Sequence, residues 1–368
     1  MIRVLQVVGK MNLGGAETRL MALAKSTDKS EFYFDFCVFQ DDSGDYADEI
    51  RKLGFGIVRC KLSEGIFGFS RYFRQLLRKG RYDAVHCHVH EFSGLPLRLA
   101  AKEGAPIRII HLRTTNDVSR QGLYRFLYRR LLTGWIKKYS TKIVSVSESA
   151  MVAFMGSQWK DDSRTEVIYN GLDVRPFQIP CNRAEVLSEF DIPVSAKVVI
   201  HVGNFKPAKD HEAFINIAEI VINKEKNTYF LLVGDGPLIS QIQDLAVTKG
   251  LQSRIRFAGS RNDIPRLLLA GDCFLFPSRR EGLPGAVLEA LAAGLPVVAS
   301  DIAPIREIAS ESPNIYVVPA GKTQEFAYKV VELLNKVPAK RAPGQIPDRF
   351  NFNHYVRKIQ ALYTHYNI

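Results

Sequence analysis

No apolar run in this 368-residue chain approaches the ~20 residues that a membrane-spanning helix needs. The first hydrophobic stretch, Val4-Leu5-Gln6-Val7-Val8, is too short and too polar for a secretory leader and reads as a strand. The five cysteines, Cys37, Cys60, Cys87, Cys181 and Cys273, are odd in number, scattered and without a Cys-x-x-Cys pair. That excludes a disulfide framework and leaves reduced core thiols of the kind a cytoplasmic protein carries. Also missing is the dinucleotide fingerprint. The first strand is followed by Gly9-Lys10-Met11-Asn12-Leu13-Gly14-Gly15-Ala16-Glu17, and its glycines do not fall into Gly-x-Gly-x-x-Gly. The Gly14-Gly15 pair is either a mere turn or a loop that faces a phosphate or a sugar.

What is present suits two α/β domains. Hydrophobic residues make up 46% of the chain and charged residues 24%, enough for proper cores and against disorder. Short β-branched runs alternate with helical patterns, the mark of parallel sheets. Strands are expected near Val4–Val8, Phe34–Phe39, Gly56–Cys60, Ala84–His88, Ile107–His111, Lys142–Val146 and Glu166–Tyr169. A Pro-containing stretch at 171–195 reads as a connection, after which strands resume at Lys197–Val202, Tyr229–Val233, Arg254–Phe257, Cys273–Phe276, Pro296–Ala299 and Ile315–Val318. Domains are therefore expected over 1–175 and 176–350, with a last helix in 351–368 whose stripe Val356, Ile359, Leu362 and Tyr363 must pack on something.

The most informative segment is Phe276 to Ala290, which sets Glu281 and Glu289 eight residues apart. Between them, Gly282-Leu283-Pro284-Gly285 reads as a turn that opens a helix, with Pro284 suited to its first position. The amides of Gly285, Ala286 and Val287 would then lack partners and face a ligand at the positive end of the helix. Amides for phosphate, with a carboxylate on each side for hydroxyls, suit a polyhydroxylated diphosphate. The alternative is that Glu289 is an ordinary solvated helix residue.

Other candidates follow strand ends, where open parallel sheets bind ligands, and this places them in one cleft between the domains. Lys209, after Gly203-Asn204-Phe205-Lys206, stands at a helix start, an uncommon place for a cation unless an anion is near. An exposed lysine is the alternative. His111 and a polar loop end the fifth strand. In His86-Cys87-His88-Val89-His90 an extended chain would set three imidazoles on one side. No acidic or cysteine ligand completes a metal set there, so cleft lining is preferred to zinc.

The net charge of +12 is uneven: residues 1–175 hold 28 Lys/Arg against 19 Asp/Glu. The segment Ser119–Lys142 is basic, rich in aromatics and free of acidic residues, and Phe69–Arg81 is similar. These are either helices that meet an anionic membrane surface or solvated helices with their aromatics in the core. No recognition motif supports nucleic acid.

Taken together, these residues resemble glycosyltransferase family four, retaining enzymes of the GT-B fold, in the branch that builds bacterial exopolysaccharide, capsule or O-antigen. The resemblance is carried by Gly14-Gly15-Ala16-Glu17, Val144-Ser145-Val146-Ser147-Glu148, Val167 to Asp173, Val233-Gly234-Asp235-Gly236-Pro237, and Pro277-Ser278 through Ala299-Ser300-Asp301. It implies an α/β architecture of two Rossmann-like open parallel-sheet domains facing across a cleft, with the C-terminal helix crossing back to the first domain. The first domain would bind the acceptor and the second the nucleotide sugar.

Glu289 would hold the ribose and Glu281 the donor sugar, while Lys209 and the amides after Gly282 would take the diphosphate. Donor contacts would also come from Gly14, Gly15, Asn204, Lys206, Gly259, Ser260, Leu283, Pro284 and Gly285. His88, Arg113 and Asn116 would face the acceptor, and His111 the sugar near its reacting carbon. The family usually carries Arg where Asn204 stands, and Lys206 is the candidate replacement. The spacing before His111 leaves Arg113 a rival for its place.

The implied activity is retaining, metal-independent transfer from a nucleoside diphosphate sugar, with UDP the branch's pointer, and no cofactor. The acceptor would be a saccharide or a polyprenyl-linked one at the inner face of the membrane. A nucleotide-sugar epimerase or hydrolase, and a non-catalytic sugar-nucleotide-binding subunit, are the alternatives.

Overall fold

The computed structural model describes residues 1–12, 15–40, 44–113, 122–336 and 344–364, without the side chains of Leu123 and Tyr124. The chain divides into two compact units: Met1–Gly171 together with Asn353–Ile368, and Leu172–Phe352.

In the first unit seven strands form one sheet. They are β1 (Ile2–Val7), β2 (Phe32–Val38), β3 (Gly56–Arg59), β4 (Ala84–Cys87), β5 (Ile107–Leu112), β6 (Lys142–Ser145) and β7 (Thr165–Val167), in the order β3-β2-β1-β4-β5-β6-β7. Every pairing is parallel. Helices cover both faces, which is why strands such as β1 and β4 are buried almost without alternation. Phe69, Phe73 and Leu77 of the helix Gly65–Gly80, and Leu132 and Ile136 of the helix Leu123–Tyr139, pack in one cluster with Val85 and Ile110. The Ser147 hydroxyl accepts from the Ala150 amide and so starts the helix Glu148–Met155.

The last helix spans Phe352–Thr364. It buries the apolar stripe read from the sequence, Val356, Ile359, Leu362 and Tyr363, and adds Tyr355. Tyr363 meets Phe32 and Phe34 of β2 edge-on, each at 6.1 Å between ring centres.

In the second unit six strands repeat the plan. They are β8 (Lys197–Val202), β9 (Thr228–Val233), β10 (Ile255–Phe257), β11 (Cys273–Phe276), β12 (Val297–Ser300) and β13 (Ile315–Val318), ordered β10-β9-β8-β11-β12-β13 and parallel throughout. Phe214, Ile217 and Val221 of the helix His211–Lys224 pack on Phe230 and Leu232 of β9 and on Val330 of the helix Thr323–Leu334. The expected connection at 171–195 holds a short helix of its own, Arg183–Ser188, capped by Asn182.

After β9 the chain must reverse tightly. Gly234, at φ +138°, lies so close to Gly203 that a β-carbon would come within 2.2 Å of its carbonyl oxygen. Only glycine fits there.

Among the described residues no helix is long and apolar enough to cross a membrane. None of the five cysteines is in a disulfide; four are buried and Cys181 is half-buried.

Candidate functional site

In each sheet the strand order reverses direction once, and at such a switch point two neighbouring strands send their following loops to opposite sides and leave a crevice at their carboxyl ends. The switch falls between β1 and β4 in the first unit and between β8 and β11 in the second. The candidate residues gather at these two places.

In the second unit the loops after β8 and β11 are tied together. The Arg279 amide donates to the Ala208 carbonyl at 2.8 Å. The Arg279 guanidinium grips Asp210 with two bonds, Nε to Oδ2 at 2.5 Å and a terminal nitrogen to Oδ1 at 3.0 Å. This latch sets Lys209 beside Glu281, Nζ to Oε1 2.7 Å. Their side chains are only 19% and 13% exposed, so neither charge is well solvated and each depends on the other. The Lys209 ammonium also lies 4.6 Å from the centre of the Phe276 ring. Gly203 makes room for this arm: a β-carbon there would approach Lys209 Cε to 3.3 Å and His201 Nε2 to 3.1 Å.

Lys209 itself ends a single 3-10 turn, Pro207–Lys209, and Asp210 separates it from the helix His211–Lys224. The expected helix-start position is thus taken by Asp210, whose φ of 52° lets its carboxylate accept from the Ala213 amide. Beneath the loop, burial first and Lys209 second push the His211 imidazole down to about 4.

The helix Gly285–Ala292 follows the Glu281 turn, with Pro284 as the residue before its first turn rather than within it. Glu289 falls in the second turn and is partly exposed. One expectation fails here: the Val287 amide is not free, because it donates to the Pro284 carbonyl at 3.1 Å. Gly285 and Ala286 are left as the amides that have no carbonyl one turn back within the helix. Gly282, Leu283 and Pro284 are buried, so the turn is held by packing. Asn204, Lys206 and Ser260 are exposed, and Gly259 adopts φ +66° while its carbonyl accepts from the Gly234 amide at 2.8 Å.

In the first unit the structure collects histidines, though not the set expected. His90 turns away with φ 47° as a 3-10 turn begins, and the third imidazole beside His86 and His88 is that of His111. The register explains this, since His86 on β4 lies opposite Gln6 on β1 and opposite Ile109 on β5, two residues before His111. Their ligand-type nitrogens lie within 4.8 Å of one another, all buried. A dication would have to displace a hydrogen-bond network and sit near the Arg113 guanidinium, whose Nε donates to His88 Nδ1 at 3.1 Å. That argues for the network over a metal set.

Burial, then the charge of Arg113, holds His86 and His111 well below the ordinary imidazole value. His88 is lowered by burial first and by its neighbours after. His111 and Arg113 are therefore partners in one cluster, and both carry a buried nitrogen without a partner among the described residues: Nε2 of His111 and one terminal nitrogen of Arg113. Gly15 begins the helix Gly15–Lys25, is exposed, and has open space where a β-carbon would stand. Gly14 and Asn116 lie outside the described residues.

The sequence did not single out Gly203 or Phe276 around Lys209, the Arg279–Asp210 latch, or the hydrogen bonds of Gln6 and Tyr363 behind His111. Of these, only a glycine directly after a strand was a visible signal.

The basic helices divide between the two readings offered for them. Phe69, Phe73, Leu132 and Ile136 are buried, while Phe67, Phe126, Leu127 and Leu131 are more than half exposed. Arg74 and Arg78 pair with Glu103, and Arg129 pairs with Glu91.

Two family models match the chain: Glycosyltransferase Family 4 over residues 13–175 and Glycosyl transferases group 1 over residues 196–336. Over 307 residues the chain is 30% identical to the capsular polysaccharide biosynthesis glycosyltransferase CapH of Staphylococcus aureus, covering 82% of each protein. The chain belongs to glycosyltransferase family four.

A second relative of this family-four glycosyltransferase is the UDP-Gal:alpha-D-GlcNAc-diphosphoundecaprenol alpha-1,3-galactosyltransferase of Escherichia coli. It is 26% identical over 350 residues, which span 90% of this chain and 89% of that one. Among solved structures, HepE of Anabaena in complex with UDP and glucose superposes with a TM-score of 0.79 at 19% identity, covering 98% of this chain and 99% of that one. The fold of the family-four enzyme is thereby GT-B, built from the two parallel-sheet units described above.

Proposed function

We propose that this glycosyltransferase moves a sugar from a UDP-sugar to a hydroxyl of a saccharide acceptor in bacterial cell-surface polysaccharide assembly, with retention and without a metal ion. The observation that carries the reading is the Lys209–Glu281 pair, held at the switch point of the second unit just ahead of the Gly285 and Ala286 amides. The UDP assignment is supported by the UDP in the HepE complex and by the UDP-galactose in the name of the Escherichia coli relative. That relative's name also supports a lipid-linked diphosphate acceptor.

In this mechanism the bond from the anomeric carbon to the diphosphate breaks, and a bond from that carbon to the acceptor oxygen forms on the same face. The departing diphosphate gains negative charge as it leaves. Lys209 and the two amides meet that charge, and a diphosphate oxygen takes the acceptor's proton. Glu281 orients sugar hydroxyls and Glu289 binds the ribose. Asn204, Lys206, Gly259 and Ser260 lie along the same end of the sheet as further donor contacts. His111 offers its Nε2–H to a sugar hydroxyl, while His88 and Arg113 serve the acceptor side.

Nucleotide release from a panel of UDP-, GDP-, ADP- and dTDP-sugars tests the proposal, with free saccharides and polyprenyl-diphosphate saccharides as acceptors. The expected result is acceptor-dependent release of UDP, with the anomeric configuration kept in the product. Release independent of acceptor would indicate a hydrolase. Binding without release would indicate a non-catalytic subunit.

A further inference from the structure

Behind His111 a chain of hydrogen bonds runs through the buried heart of the first unit, and its direction follows from donor and acceptor chemistry. A guanidinium can only donate. Arg113 Nε therefore fixes His88 Nδ1 as an acceptor, 3.1 Å away. His88 is neutral, since its burial disfavours a proton, so its hydrogen sits on Nε2 and is given to Gln6 Oε1 at 2.9 Å.

The Gln6 amide nitrogen then faces the Tyr363 hydroxyl and donates to it, again at 2.9 Å. With its oxygen accepting from Gln6, Tyr363 has its own hydrogen to place. Among the described residues its other partner is His86 Nδ1, at 2.8 Å. Tyr363 donates there, and neutral His86 must hold its hydrogen on Nε2. That nitrogen lies 3.2 Å from His111 Nδ1, with the two rings within 5° of parallel. His111 accepts at Nδ1, so its remaining hydrogen stands on Nε2, buried and without a partner among the described residues. A buried donor left without an acceptor is costly, so this hydrogen is poised for a substrate oxygen.

We infer that Tyr363, on the last helix, is a positioning residue for sugar transfer: through His86 it sets His111 in the Nε2–H tautomer, so that a donor and not a lone pair meets the substrate. The inference rests on the reading of His111 as a substrate-contacting group. It gives the last helix a chemical role besides packing. Tyr363 is 357 positions from Gln6, and the two share one hydrogen bond.

The test uses the full-length protein, ¹⁵N-labelled at histidine, as wild type and as Tyr363→Phe. The substitution keeps the ring that packs on Phe32 and Phe34 and removes only the hydroxyl. Long-range ¹H–¹⁵N spectra of the imidazoles should show His86, His88 and His111 all protonated at Nε2 in wild type. In Tyr363→Phe, His86 and His111 should lose the single tautomer while His88, still held by Arg113 and Gln6, keeps it. The kcat should fall about 10- to 100-fold, the scale on which a slightly misplaced substrate-facing group slows a reaction, with KM for the nucleotide sugar and affinity for UDP unchanged.

A wild-type His111 protonated at Nδ1 overturns the inference, and this holds even if the variant fails to fold. Unchanged His86 and His111 signals, or an unchanged kcat in the folded variant, overturn it as well. If wild type transfers no sugar from any donor, the proposed reaction falls, and the ring spectra still decide the direction of the chain.

Discussion

At the scale of single residues, the site turns on one charge. Lys209 is held by Glu281, lies over Phe276 and reaches past a glycine. In the proposed reaction, its replacement by alanine would remove a preorganised positive charge from the place assigned to the leaving diphosphate. Turnover of Lys209→Ala should therefore fall about 10²- to 10³-fold, read as initial rate at saturating donor with folding checked by circular dichroism. Wild-type turnover in a folded Lys209→Ala protein would remove Lys209 from the mechanism. The turn at Glu281 that opens a helix was legible in the sequence, and the structure adds the contact between Glu281 and Lys209. Gly203 and the Arg279–Asp210 latch were not legible, because their meaning comes from two strands, β8 and β11, that are distant in sequence and adjacent in the sheet.

At the scale of elements, strand positions were readable throughout, since β-branched runs between helical patterns leave little choice. Helix starts were less so. Asp210 takes the helix-start position that had been expected for Lys209, and Pro284 stayed outside the helix it introduces. The histidine cluster was misread because an extended chain was assumed through His90, where the backbone turns at φ 47°. Nothing in sequence could bring Tyr363 to His86, since that contact depends on how the last helix packs.

The buried imidazoles also give the fold a pH signature. His86, His88, His111, His201 and His211 are all held below the ordinary imidazole value, mainly by burial. The unfolded chain protonates these rings near pH 6.5. Above that pH both states are neutral and stability is full. As pH falls below it, the unfolded state takes up protons that the native state refuses, and each ring costs about 1.4 kcal/mol per pH unit. The paired carboxylates Glu103 and Asp162, lowered by their arginine partners, act only below the carboxylate range. Calorimetry should thus show a clearly lower Tm at pH 5.5 than at pH 7.5, and an equal or higher Tm at pH 5.5 would contradict the buried neutral cluster.

For the whole molecule, two parallel sheets with the same reversal of strand order put the candidate residues at the same place in each unit. The charge excess of the first half is less available than its count suggests, because Arg74, Arg78 and Arg129 are committed to Glu103 and Glu91. The proposed reaction requires the diphosphate to bind at the start of the helix Gly285–Ala292. A crystal structure of the full-length protein with UDP tests it most directly. The diphosphate should lie against the Gly285 and Ala286 amides within reach of the Lys209 ammonium, with the ribose on Glu289. UDP bound anywhere else, with those amides left bare, would contradict a donor site built on Lys209 and this helix start.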